Sequence, residues 1–210
     1  LGFIGKNACL IIPGLGSHVV LSTLVTSAPL PPGEPMAERC GECRACLDAC
    51  PTDAFLGPRE LDARRCVSYL TIEHEGAIDA DLRRGVGRWF LGCDACQDVC
   101  PYNRGHLPEP DATSPYRADE RWARLEASDI LRMDEDAYLA FSEGSPARRL
   151  GREGAARNAA LNLGNSGDAR HLPVLRDATR DASEVVREAA RWAIEEIGGR
   201  SASLRHSGPE

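Results

Sequence analysis

Lysine is all but missing from this 210-residue chain: Lys6 stands alone, and every other basic side chain is arginine. That bias reads as the mark of a GC-rich genome before it reads as phosphate recognition. Positive charge is not in excess either, since the formal net charge is -7, which argues against a protein that binds nucleic acid with its whole surface and leaves room only for a local basic face. No uninterrupted apolar run reaches the roughly 18 residues of a membrane span, and Pro13, Gly14, Gly16 and His18 break the first thirty residues where a secretory signal would need its apolar centre. Aromatic residues are sparse at 5%, yet 42% hydrophobic residues suffice for a core in one or two domains, so the chain is not disordered. It begins at Leu1 without methionine, the pattern expected of the later part of a longer protein.

Cysteine is what the chain has in abundance. Seven of the nine fall into two groups, Cys40-x2-Cys43-x2-Cys46-x3-Cys50-Pro51 and Cys93-x2-Cys96-x3-Cys100-Pro101, with Cys66 between them. The first group is the bacterial-ferredoxin run, in which three closely spaced thiolates hold one 4Fe-4S cube and the fourth, before proline, reaches the other cube. The second group carries Phe90 where its first ligand should stand, and Cys66 is the spare thiolate nearby. Cross-ligation then assigns Cys40, Cys43, Cys46 and Cys100 to one cluster and Cys50, Cys66, Cys93 and Cys96 to the other, leaving Cys9 over. Zinc explains the residues less well, because a ribbon needs paired C-x2-C knuckles and no Cys-Pro endings. Cysteines this crowded in an otherwise ordinary composition belong to a reducing cytosol rather than to disulfides. Pro51 and Pro101 suit the first turn of a helix.

Around this module, residues 2–7 read as a glycine-rich turn before a short buried strand over 9–12, ended by Pro13 and Gly14. Residues 17–27 fit a strand or a helix equally. Residues 29–35 and 106–115 are proline-rich connectors. Between the cysteine groups a helix or strand starts at Arg65, and residues 83–89 form a basic approach to the second group. Residues 122–141 carry Leu125, Ile130, Leu131, Tyr138 and Leu139 at helical steps. Two segments then repeat thirty residues apart, Ala156-Arg157-Asn158-Ala159-Ala160 and Val186-Arg187-Glu188-Ala189-Ala190, which predicts stacked helical pairs. One helix ends over 164–168, the next opens at Leu172, and a third spans 185–197 with its alanine face inward. Residues 200–210 read as a frayed tail.

The stretches Cys66-Val67-Ser68-Tyr69-Leu70-Thr71-Ile72-Glu73 and Gly92-Cys93-Asp94-Ala95-Cys96-Gln97-Asp98-Val99-Cys100-Pro101-Tyr102-Asn103 resemble the epoxyqueuosine reductases, as do Gly5-Lys6-Asn7 and the helical repeat from Arg152 to Asp168. The resemblance implies an α+β chain with three parts: the remnant of a cobalamin-binding α/β domain (1–32), a ferredoxin-like module for two 4Fe-4S clusters (33–105), and a HEAT-like helical repeat (116–199) before the tail (200–210). It implies a cytoplasmic, monomeric oxidoreductase that reduces epoxyqueuosine to queuosine in transfer RNA, electrons passing from a reduced donor through the clusters to cobalamin. Ser68, Cys93 and Asp94 would lie near the corrin. The family's general acid is an aspartate upstream of the Gly-Lys-Asn loop, so no residue here is assigned catalysis, Asp94 included. Thr71, Glu73 and His74 are candidates to face the RNA or the substrate base. Arg148, Arg149 and Arg152 are candidates for the anticodon arm's phosphates, whereas Arg157 and Arg187 read as bridges between stacked helices. The competing readings are another corrinoid iron-sulfur reductase, of the reductive-dehalogenase kind, and a non-catalytic ferredoxin domain.

Overall fold

A computed structural model describes residues 1–105 and 117–206, with the side chains of 200–206 left aside. The elements are, in order, β1 (Phe3–Ile4), β2 (Leu10–Ile11), α1 (Ala45–Asp48), β3 (Phe55–Gly57), β4 (Glu60–Leu61), α2 (Val67–Ile72), α3 (Ala80–Val86), α4 (Ala95–Asp98), α5 (Glu120–Ala123), α6 (Ala127–Arg132), α7 (Glu135–Phe141), α8 (Gly151–Ser166), α9 (Leu172–Ala178) and α10 (Glu184–His206). The described chain is mostly helical; its strands make two antiparallel hairpins, β1 with β2 in the register Phe3 to Ile11 and Ile4 to Leu10, and β3 with β4. Residues 17–27 take neither helix nor strand. The connector over 106–115 and the last four residues of the tail lie outside the described residues. No described helix is long and apolar enough to cross a membrane.

The chain forms two compact units, one of residues 1–63 and 94–117, the other of 64–93 and 118–210. The sequence placed 64–93 inside the cluster module, but its apolar residues join the helical core. Val67, Leu70, Ile78, Leu82 and Val86 are buried in one cluster with Tyr138, Leu161, Leu175 and Ile197. The first unit has a far smaller apolar core, built on Phe3, Ile11 and Cys100 with Cys40 and Tyr102 against it.

In the helical unit α8 and α10 meet through alanines, with Ala155, Ala156, Ala159, Ala160, Ala189, Ala190 and Ala193 all buried. At Gly164 the approach is closest, since a Cβ there would stand 2.7 Å from Ala193 Cα. The single helical stretch expected over 122–141 is instead three short helices. Asp119 caps the first of them, and Glu126 and Asp134 break the stretch: Asp134 accepts from Ala137 N at 2.8 Å, and Glu126 forms a capping box with Asp129. α8 stops at Gly167, whose φ of 70° is the left-handed cap glycine adopts at little cost. α10, expected to end at Ile197, continues through Gly198 and Gly199.

Candidate metal centre

The two cysteine groups build the same turn twice. α1 and α4 are four-residue helices fifty positions apart, preceded by Arg44 (φ -124°, ψ 3°) and Asp94 (φ -109°, ψ 10°) and followed by Ala49 and Val99 in matching helical conformations. Leu47 N donates to Arg44 O and Gln97 N to Asp94 O, while Cys50 N and Cys100 N close each turn onto Leu47 O and Gln97 O. Two residues between cysteines allow this single helical turn, and the proline after Cys50 and Cys100 has no N–H to continue it. α1 and α4 pack on each other.

Cys40, Cys43, Cys46 and Cys100 together line a cavity of about 270 Å³, with Lys6, Asn7, Ile11, Arg39, Pro101 and Tyr102 also in its wall. Three of the cysteines lining this cavity come from the first group and one from the end of the second. Burial pushes the thiols of Cys40 and Cys46 up, and each is raised further by Cys100. Crowded thiols that resist ionising together are suited to a cationic iron group, whose charge reverses that penalty. Among the described residues no three His, Cys, Asp or Glu side chains converge where one ion would sit. The four thiols instead stand around a volume, which fits a polynuclear group.

The glycine-rich loop before β2 serves this cavity. Lys6 Nζ donates to the carbonyls of Gly41 and Cys43, the second at 3.0 Å, and Glu38 accepts from Cys40 N. A Cβ on Gly5 would stand 2.5 Å from Ile11 Cδ1 and 2.8 Å from Asn7 Oδ1, so a side chain there would displace both. Tyr102 stacks edge-on against Phe3, with centroids 5.4 Å apart, and its hydroxyl donates to Arg39 O. Asn7 Nδ2 reaches Cys96 O at 3.4 Å, and Asn103 ties Ser17 to Gln97 O. The sequence reading missed Lys6; its solitude among arginines was the available signal.

The remaining ligand candidates divide between the units. In the first, Cys50 Sγ accepts from Ala54 N at 3.3 Å. The Cys9 thiol is held down to about 7, chiefly by a hydrogen bond with Cys96, against burial and the Asp94 carboxylate. Asp94 itself is exposed and accepts from Gln97 Nε2 at 2.6 Å. In the helical unit, Cys66 precedes α2, its carbonyl receiving Leu70 N, and Cys93 follows Gly92; both are half-buried, as is Ser68 on the first turn of α2.

Several residues expected to meet RNA do other work. Thr71 is fully buried, its hydroxyl donating to Val67 O at 2.8 Å and accepting from Gly92 N at 3.0 Å. Arg152 is not an open phosphate contact: it grips Asp181 through both guanidinium nitrogens and donates to Met133 O, with side-chain exposures of 14% and 9% for the pair. Glu73 pairs with Arg149 at 2.9 Å and His74 Nε2 bonds Ala77 O. Arg83 and Arg84, in the basic approach, are paired with Glu188 and Glu196. Arg157 is buried at 2% exposure, reaching the carbonyls of Leu70, His74 and Gly76, and burial lowers its pKa to about 10, so it stays charged at neutral pH. Arg187 pairs with Glu184 and donates to the carbonyls of Asp181 and Ala182. Arg148 and Arg149 remain exposed.

Residues 39–103 match the model of the 4Fe-4S double cluster binding domain. An epoxyqueuosine reductase of Xanthomonas campestris is 42% identical over 201 residues, covering 94% of this chain and 56% of that protein. One from Pseudomonas aeruginosa is 44% identical over 202 residues, covering 94% and 55%. The chain is a homologue of the epoxyqueuosine reductases. It spans about half the length of these relatives. Among solved structures, an epoxyqueuosine reductase with an epoxyqueuosine-modified tRNA-Tyr stem loop superposes with a TM-score of 0.84 at 33% identity, over all of this chain and 56% of that one. The epoxyqueuosine reductase of Bacillus subtilis gives 0.83 at 36% identity, over 93% of this chain and 52% of that one.

Proposed function

We propose that the protein to which these residues belong reduces epoxyqueuosine to queuosine in transfer RNA, with two 4Fe-4S clusters and cobalamin as its redox groups. The observation that carries the reading is the cavity walled by Cys40, Cys43, Cys46 and Cys100, a set of thiols drawn from two distant stretches of one chain. By the same rule of exchange, Cys50, Cys66, Cys93 and Cys96 hold the second cluster. When bound, such clusters supply single electrons, and a reduced corrin cobalt supplies a nucleophile able to open an epoxide. What these residues contribute is ligation and posture: Lys6 and Glu38 fix the first cysteine loop, and Ala54 N directs the thiol of Cys50.

Ser68, Cys93 and Asp94 are assigned to the corrin's edge by family resemblance. Ser68 and Asp94 carry a half-buried hydroxyl and an exposed carboxylate, polar groups suited to a ring that carries amide side chains, while Cys93 stands between a cluster and that ring in this reading. The first 32 residues are read as the end of the cobalamin-binding domain, 33–105 as the cluster module and 116–199 as a HEAT-like repeat, in a cytoplasmic monomer served by a reduced electron donor. RNA binding finds support in the helical unit. A cavity of about 850 Å³ there is lined by Phe90, Trp122, Arg88, Arg132, Arg170 and His171 among others. Aromatic faces beside guanidinium groups are the usual means of holding an unstacked base and its phosphate. Trp122 Nε1 is a buried donor without an acceptor among the described residues.

The test is direct. The full-length protein, reconstituted with iron, sulfide and cobalamin and given a strong reductant, is incubated with tRNA carrying epoxyqueuosine, and the digested nucleosides are weighed by mass spectrometry. Conversion to queuosine is expected; unchanged epoxyqueuosine sinks the reading. RNA affinity should also fall steeply with salt, and a flat response would favour a corrinoid reductase acting on small molecules.

A further inference from the structure

α8 carries a polar stripe that its alanine face does not explain. Asn158 is completely buried, and its Nδ2 donates to Thr71 O at 2.8 Å and to Phe90 O at 2.9 Å. Its Oδ1 accepts from the neighbouring Arg157, which in turn takes Leu70 O at 2.8 Å. Further along the helix Asn162 reaches Arg88 O and Asn165 reaches Arg83 O. One element thus holds, by side chains, the end of α2 and the segment that leads into Cys93.

Thr71 closes the arrangement. Its hydroxyl donates to Val67 O and accepts from Gly92 N, so α2 is tied to the segment before Cys93 at two points, to Gly92 through Thr71 and to Phe90 through Asn158. Cys66 starts α2 and Cys93 directly follows Gly92. The two tied stretches therefore each end in a cysteine. Gly92 has a φ of 76°, so the lead-in is not held by its own backbone preference for the extended or helical regions.

Metal ligation tolerates errors of only about 0.2 Å in ligand distance. A cube ligated by Cys66 and Cys93 needs the spacing between α2 and the 90–92 segment to be fixed to that order. The bonds from Asn158 and Thr71 link these two stretches directly.

We propose that Asn158 and Thr71 are positioning residues for the second cluster: they set Cys66 against Cys93 and leave the Cys40, Cys43, Cys46, Cys100 site untouched. The proposal rests on the two-cluster reading above.

The experiment compares the reconstituted full-length protein with its variants Thr71→Val, which keeps the shape and removes the hydroxyl, Thr71→Ser, which restores it, and Asn158→Ala. Iron and acid-labile sulfide are counted per chain, and the reduced proteins are recorded by electron paramagnetic resonance, with helicity followed by circular dichroism. The wild type and Thr71→Ser should hold about eight irons. Thr71→Val and Asn158→Ala should fall to about half, keeping one cluster signal and losing the broadening that a second nearby paramagnet imposes. Full iron with an unchanged spectrum in both variants overturns the proposal. Equal loss of both clusters, or loss of helicity in both variants, assigns these residues to core folding and overturns it too. A wild-type chain without labile sulfide would instead overturn the two-cluster reading, and the positioning role with it.

Discussion

Lys6 donates to the carbonyl oxygen of Cys43 at 3.0 Å, across 37 residues of chain, and to that of Gly41. The only lysine in the sequence is therefore a strap over the loop that presents three of the four thiols of the first cavity. A charged donor on two backbone acceptors can hold a loop whose own hydrogen bonds are few, and bonds of this kind contribute about 1.5 to 3 kcal/mol each when shielded, less where solvent reaches them.

Replacing Lys6 by methionine keeps the aliphatic stem and removes the strap. Iron should then leave the first cluster several times faster on addition of a chelator, followed as bleaching of the visible absorption, while about half of the iron leaves at the wild-type rate. Uniform acceleration would show that Lys6 acts on the whole unit.

Cys100 tests the exchange of ligands between the cysteine groups. Cys100→Ala should reproduce the iron content and electron paramagnetic resonance spectrum of Cys40→Ala, although the two positions are sixty residues apart, and should differ from Cys96→Ala. Agreement of Cys100→Ala with Cys96→Ala instead would put each group on its own cube and refute the assignment drawn from the shared cavity.

Arg152 and Asp181 form a nearly buried ion pair. Burial by itself would raise the Asp181 carboxyl, but the hydrogen bonds from Arg152 and from Ser183 N outweigh it and hold the group below its usual range. A depressed carboxylate stabilises the fold above its unfolded pKa, near 3.9, and that contribution disappears as pH falls through the lower folded value. Arg152→Ala strands the carboxylate, and about 3 kcal/mol of stability should be lost at pH 7. Urea unfolding at pH 7 and at successively more acid pH checks both parts: the gap between wild type and variant should narrow below pH 4, and a constant gap would contradict the assignment.

Much of the first unit was legible because thiolate spacing is a rigid demand. The steps of three between Cys40, Cys43 and Cys46, repeated between Cys93 and Cys96, call for a short tight turn, and α1 and α4 both make it. The helical unit was legible in outline for a different reason: alanine at repeated steps on α8 and α10 marks a close-packed pair. What could not be read was which arginines face solvent. Arg148 and Arg152 stand four residues apart with the same chemistry, and only the distant Asp181 distinguishes them. Likewise the breaks at Glu126 and Asp134 were hidden within an apolar pattern that runs on through them, since a cap is a local competition and periodicity an average. Thr71 shows the limit most plainly. Its hydroxyl donates locally to Val67 O, as a helical threonine can, but the Gly92 N–H it accepts lies 21 residues on, and nothing near Thr71 in sequence announces that bond.

The turn that occurs twice, around α1 and again around α4, is not matched in what stands ahead of it. Three residues before the Cys43-x2-Cys46 pair lies Cys40, whereas three residues before the Cys93-x2-Cys96 pair lies Phe90. That ring packs against the helical core, and its backbone carbonyl accepts from Asn158. A cysteine introduced at 90 would therefore do more than add a thiol: it would take an aromatic side chain out of the packing of the helical unit.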